Sequence, residues 1–176
     1  FIDMDDYIHV DMLKEMVKCA EKNNSDIVTI GYYETTINKM LPVNDFLNEN
    51  NDDIRMFFIK KVMLSSGGVV WGKLYRYKLL KEKNILFDEK LRICEDQIFN
   101  LDFVKYSNNI SFFNGYYYYY CLDNIESLTK KNDIDNIKTQ ISIQKLIKVK
   151  LNNLNIEESL RDSLLGNRLY IHLYNY

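Results

Sequence analysis

Three carboxylates open the chain. The segment FIDMDDY sets Asp3, Asp5 and Asp6 within four positions, after two apolar residues that read as the end of a buried strand. Like charges this close repel one another, and burying them without a counter-ion is costly. A divalent cation relieves the repulsion, because hard cations take carboxylate oxygens. The same letters also suit an acidic strand-to-helix turn whose Asp side chains cap the following helix. The seven residues alone leave both readings open.

A second group of acids stands at Cys94-Glu95-Asp96-Gln97. Asp96 precedes Phe99 and Phe103 by three and seven positions, at the N-terminal end of a core-facing helical stripe. The helix dipole favours an acid there. Held in the wall of a cleft, such a carboxylate can act as a general base; taken by itself, first-turn capping is the better explanation. Trp71-Gly72-Lys73 joins an aromatic plate, a flexible backbone and a cation, a set that suits a sugar ring. A core Trp beside a surface Lys is the plainer reading. Tyr116 to Tyr120 read as a strand whose rings are alternately buried and exposed rather than as a sugar patch. Glu95 and Asp96 beside Cys94 push its thiol pKa up, making a poor nucleophile.

The elements that must position these groups follow from periodicity. Val10, Leu13, Val17 and Ala20 share one face of a helix over about 10–23. DIVTIGYYE, from Asp26, reads as a buried strand, and strand–helix–strand alternation suggests a parallel sheet. Residues 34–50 form a long polar connection. A helix over 52–64 is closed by SSGG. A short strand through Trp71 and a short helix follow, then a helix over 95–106. SFFNGYYYYYC reads as a hairpin around Asn114-Gly115. Two Ile- and Leu-rich helices remain, over 133–152 and 156–174, and His172, Arg168 and Tyr170 give the last a mixed face.

The 176 residues suffice for roughly one domain with a real core. With 47% apolar and 27% charged residues the chain is globular rather than disordered. A net charge of −2 gives no reason to expect a nucleic-acid partner. No run of 18 apolar residues suggests a membrane span. The three cysteines are scattered, which argues against a disulfide framework or structural zinc and fits a reducing cytosol. Only His9 and His172 are present, so zinc chemistry of the H-E-x-x-H kind is absent. The abrupt start at Phe1 and end at Tyr176 suggest a piece of a longer protein.

Taken in order, the acidic turn, a helix, DIV, WGKLYR, LRICEDQIF, an aromatic pair of strands and ESLTK resemble the family 2 glycosyltransferases of bacteria. The resemblance is to the middle and C-terminal part of their catalytic domain, over about residues 1–130, with 131–176 as a helical extension. It implies an α/β fold of the nucleotide-sugar transferase (GT-A) type, partial here, with a mainly parallel sheet. It implies Asp5 and Asp6 at Mg²⁺ or Mn²⁺ and the donor diphosphate, with Asp3 supporting them. Asp96 becomes the base that deprotonates the acceptor hydroxyl for an inverting attack, and Trp71, Lys73 and Glu95 lie by the acceptor. The partners implied are a nucleotide-sugar donor and a saccharide or lipid-linked acceptor of surface polysaccharide synthesis. Peripheral membrane association at the inner face and a homodimer are compatible with it.

Two departures bear on this. The family's N-terminal nucleotide-binding half has no counterpart here, so a chain like this should bind a nucleotide sugar poorly and be a truncated, inactive piece. The Arg and His that the family often places after its tyrosines are replaced by Cys121-Leu122-Asp123-Asn124. Two alternatives stand beside the resemblance. One is a non-catalytic sugar- or partner-binding domain derived from a transferase. The other is a phosphatase of the haloacid-dehalogenase type, with Asp3 as nucleophile and Asp5 as acid.

Overall fold

The strand β2 (Ile27–Glu34) is the element the others are built against. Its sequence, IVTIGYYE, is rich in β-branched and aromatic residues and buried over its first five positions. The computed structural model describes residues 1–41, 53–64, 68–121 and 134–174, with the side chains of 134–137 and 171–174 left aside. In chain order the other elements are β1 (Tyr7–Ile8), α1 (Met12–Asn23), β3 (Lys39–Leu41), α2 (Ile54–Leu64), β4 (Lys73–Tyr75), α3 (Tyr77–Glu82), α4 (Glu95–Val104), β5 (Ile110–Tyr120), α5 (Ile134–Asn152) and α6 (Glu158–Tyr174).

The sheet runs β1-β5-β2-β3, with β4 also on β2. β2 and β5 are parallel along the whole of β2. The other edge of β2 pairs antiparallel with β4 over Ile27–Thr29 and with β3 over Tyr32–Glu34. β1 adds a short antiparallel pairing to β5. The expected α/β fold is thus present, and one long central pair carries its parallel character. Period-two alternation divides the core. Ile27 and Ile110 face α2 and α4, while Val28, Ile30, Trp71 and Tyr118 face α1.

Four expectations change. Phe1 and Ile2 end no strand; residues 1–6 are irregular and turn, and Phe1 instead packs edge-on to Tyr75, Phe87 and Phe99. Helix α1 turns a different face inward: Met12 and Met16 are buried, while Val10, Leu13 and Val17 are 89%, 54% and 42% exposed. The bond from His9 N–H to the Tyr117 carbonyl (2.8 Å) fixes that rotation just before the helix starts. The connection after Glu34 is a hairpin to β3, turning through Asn38 at φ 54°.

Most strongly, Asn114-Gly115 is a bulge within one strand. The pairing steps from Ile30↔Phe113 to Gly31↔Tyr116, and both halves of β5 continue along β2. Burial of Ile110 and Tyr118 on this single path outweighs the local turn preference of Asn-Gly. Gly31 at the shift admits no side chain: a Cβ would stand 2.9 Å from the Leu41 carbonyl oxygen and 3.0 Å from the Tyr116 ring.

α5 and α6 share one core with α2 and α4, through Ile143, Ile147, Leu151, Leu164 and Leu165. The segments 42–52, 65–67 and 122–133, with the Ser65-Ser66 break, ESLTK and Leu122-Asp123-Asn124, lie outside the described residues. No described helix is long and apolar enough to cross a membrane.

Candidate active site

The acidic turn is held by the far end of β5. Asp6 accepts a hydrogen bond from the Tyr118 hydroxyl (2.6 Å) on one carboxylate oxygen and from the Cys121 N–H (2.8 Å) on the other. The Asp3 N–H donates to the same Tyr118 oxygen (3.2 Å). Tyr118 is fully buried and stacks on Trp71, centroids 4.7 Å apart. Burial first, then the bond to the Asp6 carboxylate, hold its hydroxyl protonated far above the ordinary tyrosine range. It is therefore a fixed donor.

Asp3, Asp5 and Asp6 each bring one carboxylate oxygen within 4.8 Å of the others. Asp3 and Asp5 are exposed and Asp6 half-buried. The Asp3 carboxyl is raised from its ordinary value by partial burial, then by Asp6 and Asp5. An all-oxygen set of three mutually repelling acids fits a hard divalent cation completed by water and a ligand's phosphate oxygens. Nitrogen and sulfur donors, which zinc and copper sites commonly add, are missing from this set.

Asp96, 90 positions after Asp6, lies near enough to the turn to feel its charge. The acids of the turn and of α4 feel each other's charge: Glu95 and Asp3 both raise the Asp96 pKa. Burial is the larger cause, and together they push it to about 6 against the opposing Val70 N–H and Lys73. Val70 N–H donates to one Asp96 oxygen (3.0 Å), which fixes the carboxylate's orientation. Asn100, one turn on, donates its amide to the carbonyls of Gly68 (2.8 Å), Val69 (3.2 Å) and Asp96 (2.9 Å), and accepts from the Tyr75 hydroxyl (2.8 Å). Thus Asn100 and Asp96 tie the 68–70 segment to the first turn of α4.

The helix starts from a strained turn. Cys94, before α4, sits at φ 60° with no side-chain cap. A non-glycine residue there costs about 1–3 kcal/mol and persists only where its surroundings enforce it. The enforcing group is Arg168 on α6, fully buried and donating to Gln97 Oε1 (2.9 Å), Gln144 Oε1 (2.8 Å) and Cys94 Sγ (3.3 Å). Cys94 is raised, as expected, but mainly by its burial.

Trp71 and Lys73 do not offer the open plate and cation that a sugar would meet. Trp71 is 7% exposed, stacked on Tyr118 and Tyr120, and so follows the plainer, core reading. Lys73 is 6% exposed and donates to the Val69 carbonyl; burial lowers its ammonium to about 7, with Asp96 opposing. Gly72 between them adopts φ 63°, which suits glycine, and its carbonyl accepts the Ile30 N–H (3.0 Å). Glu95 is half-buried beside the acids. The Arg of WGKLYR is structural: Arg76 pairs with Asp26 at 2.7 Å, at the opposite end of β2. The tyrosines do not alternate between buried and exposed: Tyr118 alone is fully buried and the other four are half-buried, with Tyr118 and Tyr120 toward Trp71 and Tyr119 toward Tyr7 and Tyr33.

Sequence reasoning missed Tyr118, Asn100 and Arg168 as parts of this site. Asn100 carried a signal, being an amide four residues after Asp96 on an apolar helix. Arg168 carried one too, lying on the stripe of Leu164 and Leu165. The phosphatase alternative needs Asp3 at the end of a strand, and residues 1–6 form none.

No family model matches the sequence. The uncharacterized glycosyltransferase EpsJ of Bacillus subtilis is 30% identical over 134 residues, 74% of this chain and 39% of that protein. The poly(ribitol-phosphate) beta-N-acetylglucosaminyltransferase TarS of Staphylococcus aureus is 27% identical over 184 residues, covering 98% of this chain and 29% of its own length. A crystal structure of S. aureus TarS 1-349 with UDP-GlcNAc superposes with a TM-score of 0.68 at 26% identity, over 98% of this chain and 48% of that one. The chain thus spans less than half the length of these relatives. By sequence and by fold, this chain is a homologue of the bacterial glycosyltransferases.

Proposed function

We propose that this chain forms the metal and acceptor side of an inverting glycosyltransferase of family 2. It passes a sugar from a nucleotide-sugar donor to a hydroxyl of a bacterial surface polymer. What supports this is the placement of the Asp3-Asp5-Asp6 turn by the start of α4, where Phe1 packs on Phe99 and Asp96 is held by the Val70 N–H. The TarS relative acts on a poly(ribitol-phosphate), which supports an anionic polyol-phosphate acceptor here. A cytosolic setting suits the three free cysteines.

In the proposed reaction Asp96 accepts the proton of the acceptor hydroxyl as its oxygen attacks the anomeric carbon. The bond to the diphosphate breaks on the opposite face, giving inversion. Asp5 and Asp6, with Asp3 beside them, would hold Mg²⁺ or Mn²⁺, which neutralises charge developing on the departing diphosphate. Tyr118 keeps Asp6 aimed. Lys73 and Trp71 act from behind, Lys73 by its charge on Asp96 and Trp71 by bracing Tyr118.

Calorimetry with Mn²⁺ and a nucleoside diphosphate tests the reading. Binding should require the metal, and Asp5→Ala should weaken it at least about tenfold, the loss of one charged ligand. Absence of heat from the full-length protein overturns the reading. Turnover of p-nitrophenyl phosphate would favour a phosphatase instead. The pH profile is a second test. Asp96 must be ionised to act, so the transfer rate should rise with pH through about 6 and level off above it. A bound cation moves the midpoint below 6, so a profile flat down to about pH 4 would assign the base elsewhere.

A further inference from the structure

Away from the acids, a pocket of about 410 Å³ opens at the C-terminal end of α4, against the loop after α3 and the end of α5. That volume falls within the range of small-ligand sites. Its wall is cationic. Lys83 and Lys105 are both exposed, and their ammonium groups lie 5.4 Å and 5.2 Å from the centre of the Tyr106 ring. Among the described residues neither forms an ion pair with a carboxylate. The acid of the pocket, Asp102, is already neutralised: Lys150 meets both of its oxygens at 2.6 Å. Asn84 adds an amide. Two uncompensated cations flanking an aromatic ring, with hydrogen-bonding amides at the rim, match a polyol that carries a phosphate.

We propose that this pocket is a second acceptor site, docking a phosphodiester repeat of the polymer remote from the reacting hydroxyl. The proposal rests on the reading of the acceptor as a polyol-phosphate polymer. Geometry sets its character. Asp96 stands at the start of α4 and the pocket at its end, about 12 Å further at 1.5 Å per residue. A single repeat cannot occupy both places, and a chain of several can. Docking one repeat raises the effective concentration of its neighbours at the base. The pocket therefore selects for length, while the acids do the chemistry.

The test compares a monomeric polyol phosphate with a long synthetic poly(polyol phosphate), by calorimetry and by transfer assay with the full-length protein. Wild type should bind the long polymer more tightly than the monomer, and Lys83→Glu with Lys105→Glu should remove about tenfold of that preference at low salt. Binding of Mn²⁺, and the transfer rate to the monomer, should be unchanged by the pair. The milder Lys83→Gln with Lys105→Gln should lose part of the preference. A charge-reversed protein that keeps the full length preference overturns the proposal. So does equal binding of a neutral polysaccharide of the same length, or a charge-dependent hold on phosphatidylglycerol vesicles without one on the polymer. Transfer to phosphate polymers without length dependence sinks the second site alone. Failure to transfer to any phosphate polymer sinks the acceptor reading beneath it.

Discussion

Replacing Asp96 with Asn should lower kcat by about 10²–10⁴, the range a positioned general base contributes, while leaving the donor and Mn²⁺ affinities nearly intact. Asn keeps an oxygen for the Val70 N–H, so the geometry of α4 survives. A variant that transfers at the wild-type rate would remove Asp96 from the role of base. The same substitution should stabilise the fold at neutral pH. The folded-state pKa of Asp96, about 6, lies above the ordinary 3.8. The native state therefore holds the proton more tightly, and stability is lost as pH rises from about 4 to about 6. Half-exposure discounts the full linkage, leaving about 1–2 kcal/mol of cost above pH 6. Asp96→Asn should thus unfold at higher denaturant than wild type at pH 7.5 and at equal denaturant at pH 4. Loss of activity together with a gain of stability is the signature of a strained functional group.

Arg168→Ala should be the most damaging single change outside the acids. It leaves the buried Gln97 oxygen and the half-buried Gln144 oxygen without their donor and opens a void where the arginine side chain stood. A loss of about 3–5 kcal/mol is expected, as for breaking a buried charged network, and denaturant unfolding measures it. Arg168→Lys should recover only part, because one ammonium cannot serve three acceptors arranged around a planar fork. If it recovers folding while transfer stays low, the guanidinium is needed for the turn at Cys94 that launches the base. Wild-type stability in Arg168→Ala would refute the network's importance.

What could be read without coordinates was local chemistry. Asp3, Asp5 and Asp6 stand together in the chain, and Asp96 precedes an unmistakable apolar stripe, so both halves of the site were visible as composition and period. Their joining was not, because it depends on Tyr118 and Phe1 reaching across the sheet. Asn114-Gly115 misled for a related reason. The dipeptide favours a turn by tenths of a kilocalorie to about one, whereas continuing along β2 buries a whole further aromatic face. On α1 two faces carried apolar residues, and periodicity alone could not choose between Val10-Leu13-Val17 and Met12-Met16. Lys73 was the least legible. Nothing in Trp-Gly-Lys says that the cation will be sealed inside rather than left in water.

The grip of β5 on the acidic turn also sets an order of events in the making of this protein. Asp6 and the Tyr118 hydroxyl that orients it are separated by 112 positions. Synthesis at 5–20 residues per second separates their appearance by roughly 6–22 s. Throughout that interval Asp6 lacks the Tyr118 hydroxyl and the Cys121 N–H that orient it. Contacts of such long range also form late in folding, because the loop must close before they reward it. The carboxylate of Asp6 is therefore oriented only once the strand that carries Tyr118 and Cys121 is in place, and a chain that ends or is cut before it leaves the acidic turn without that support.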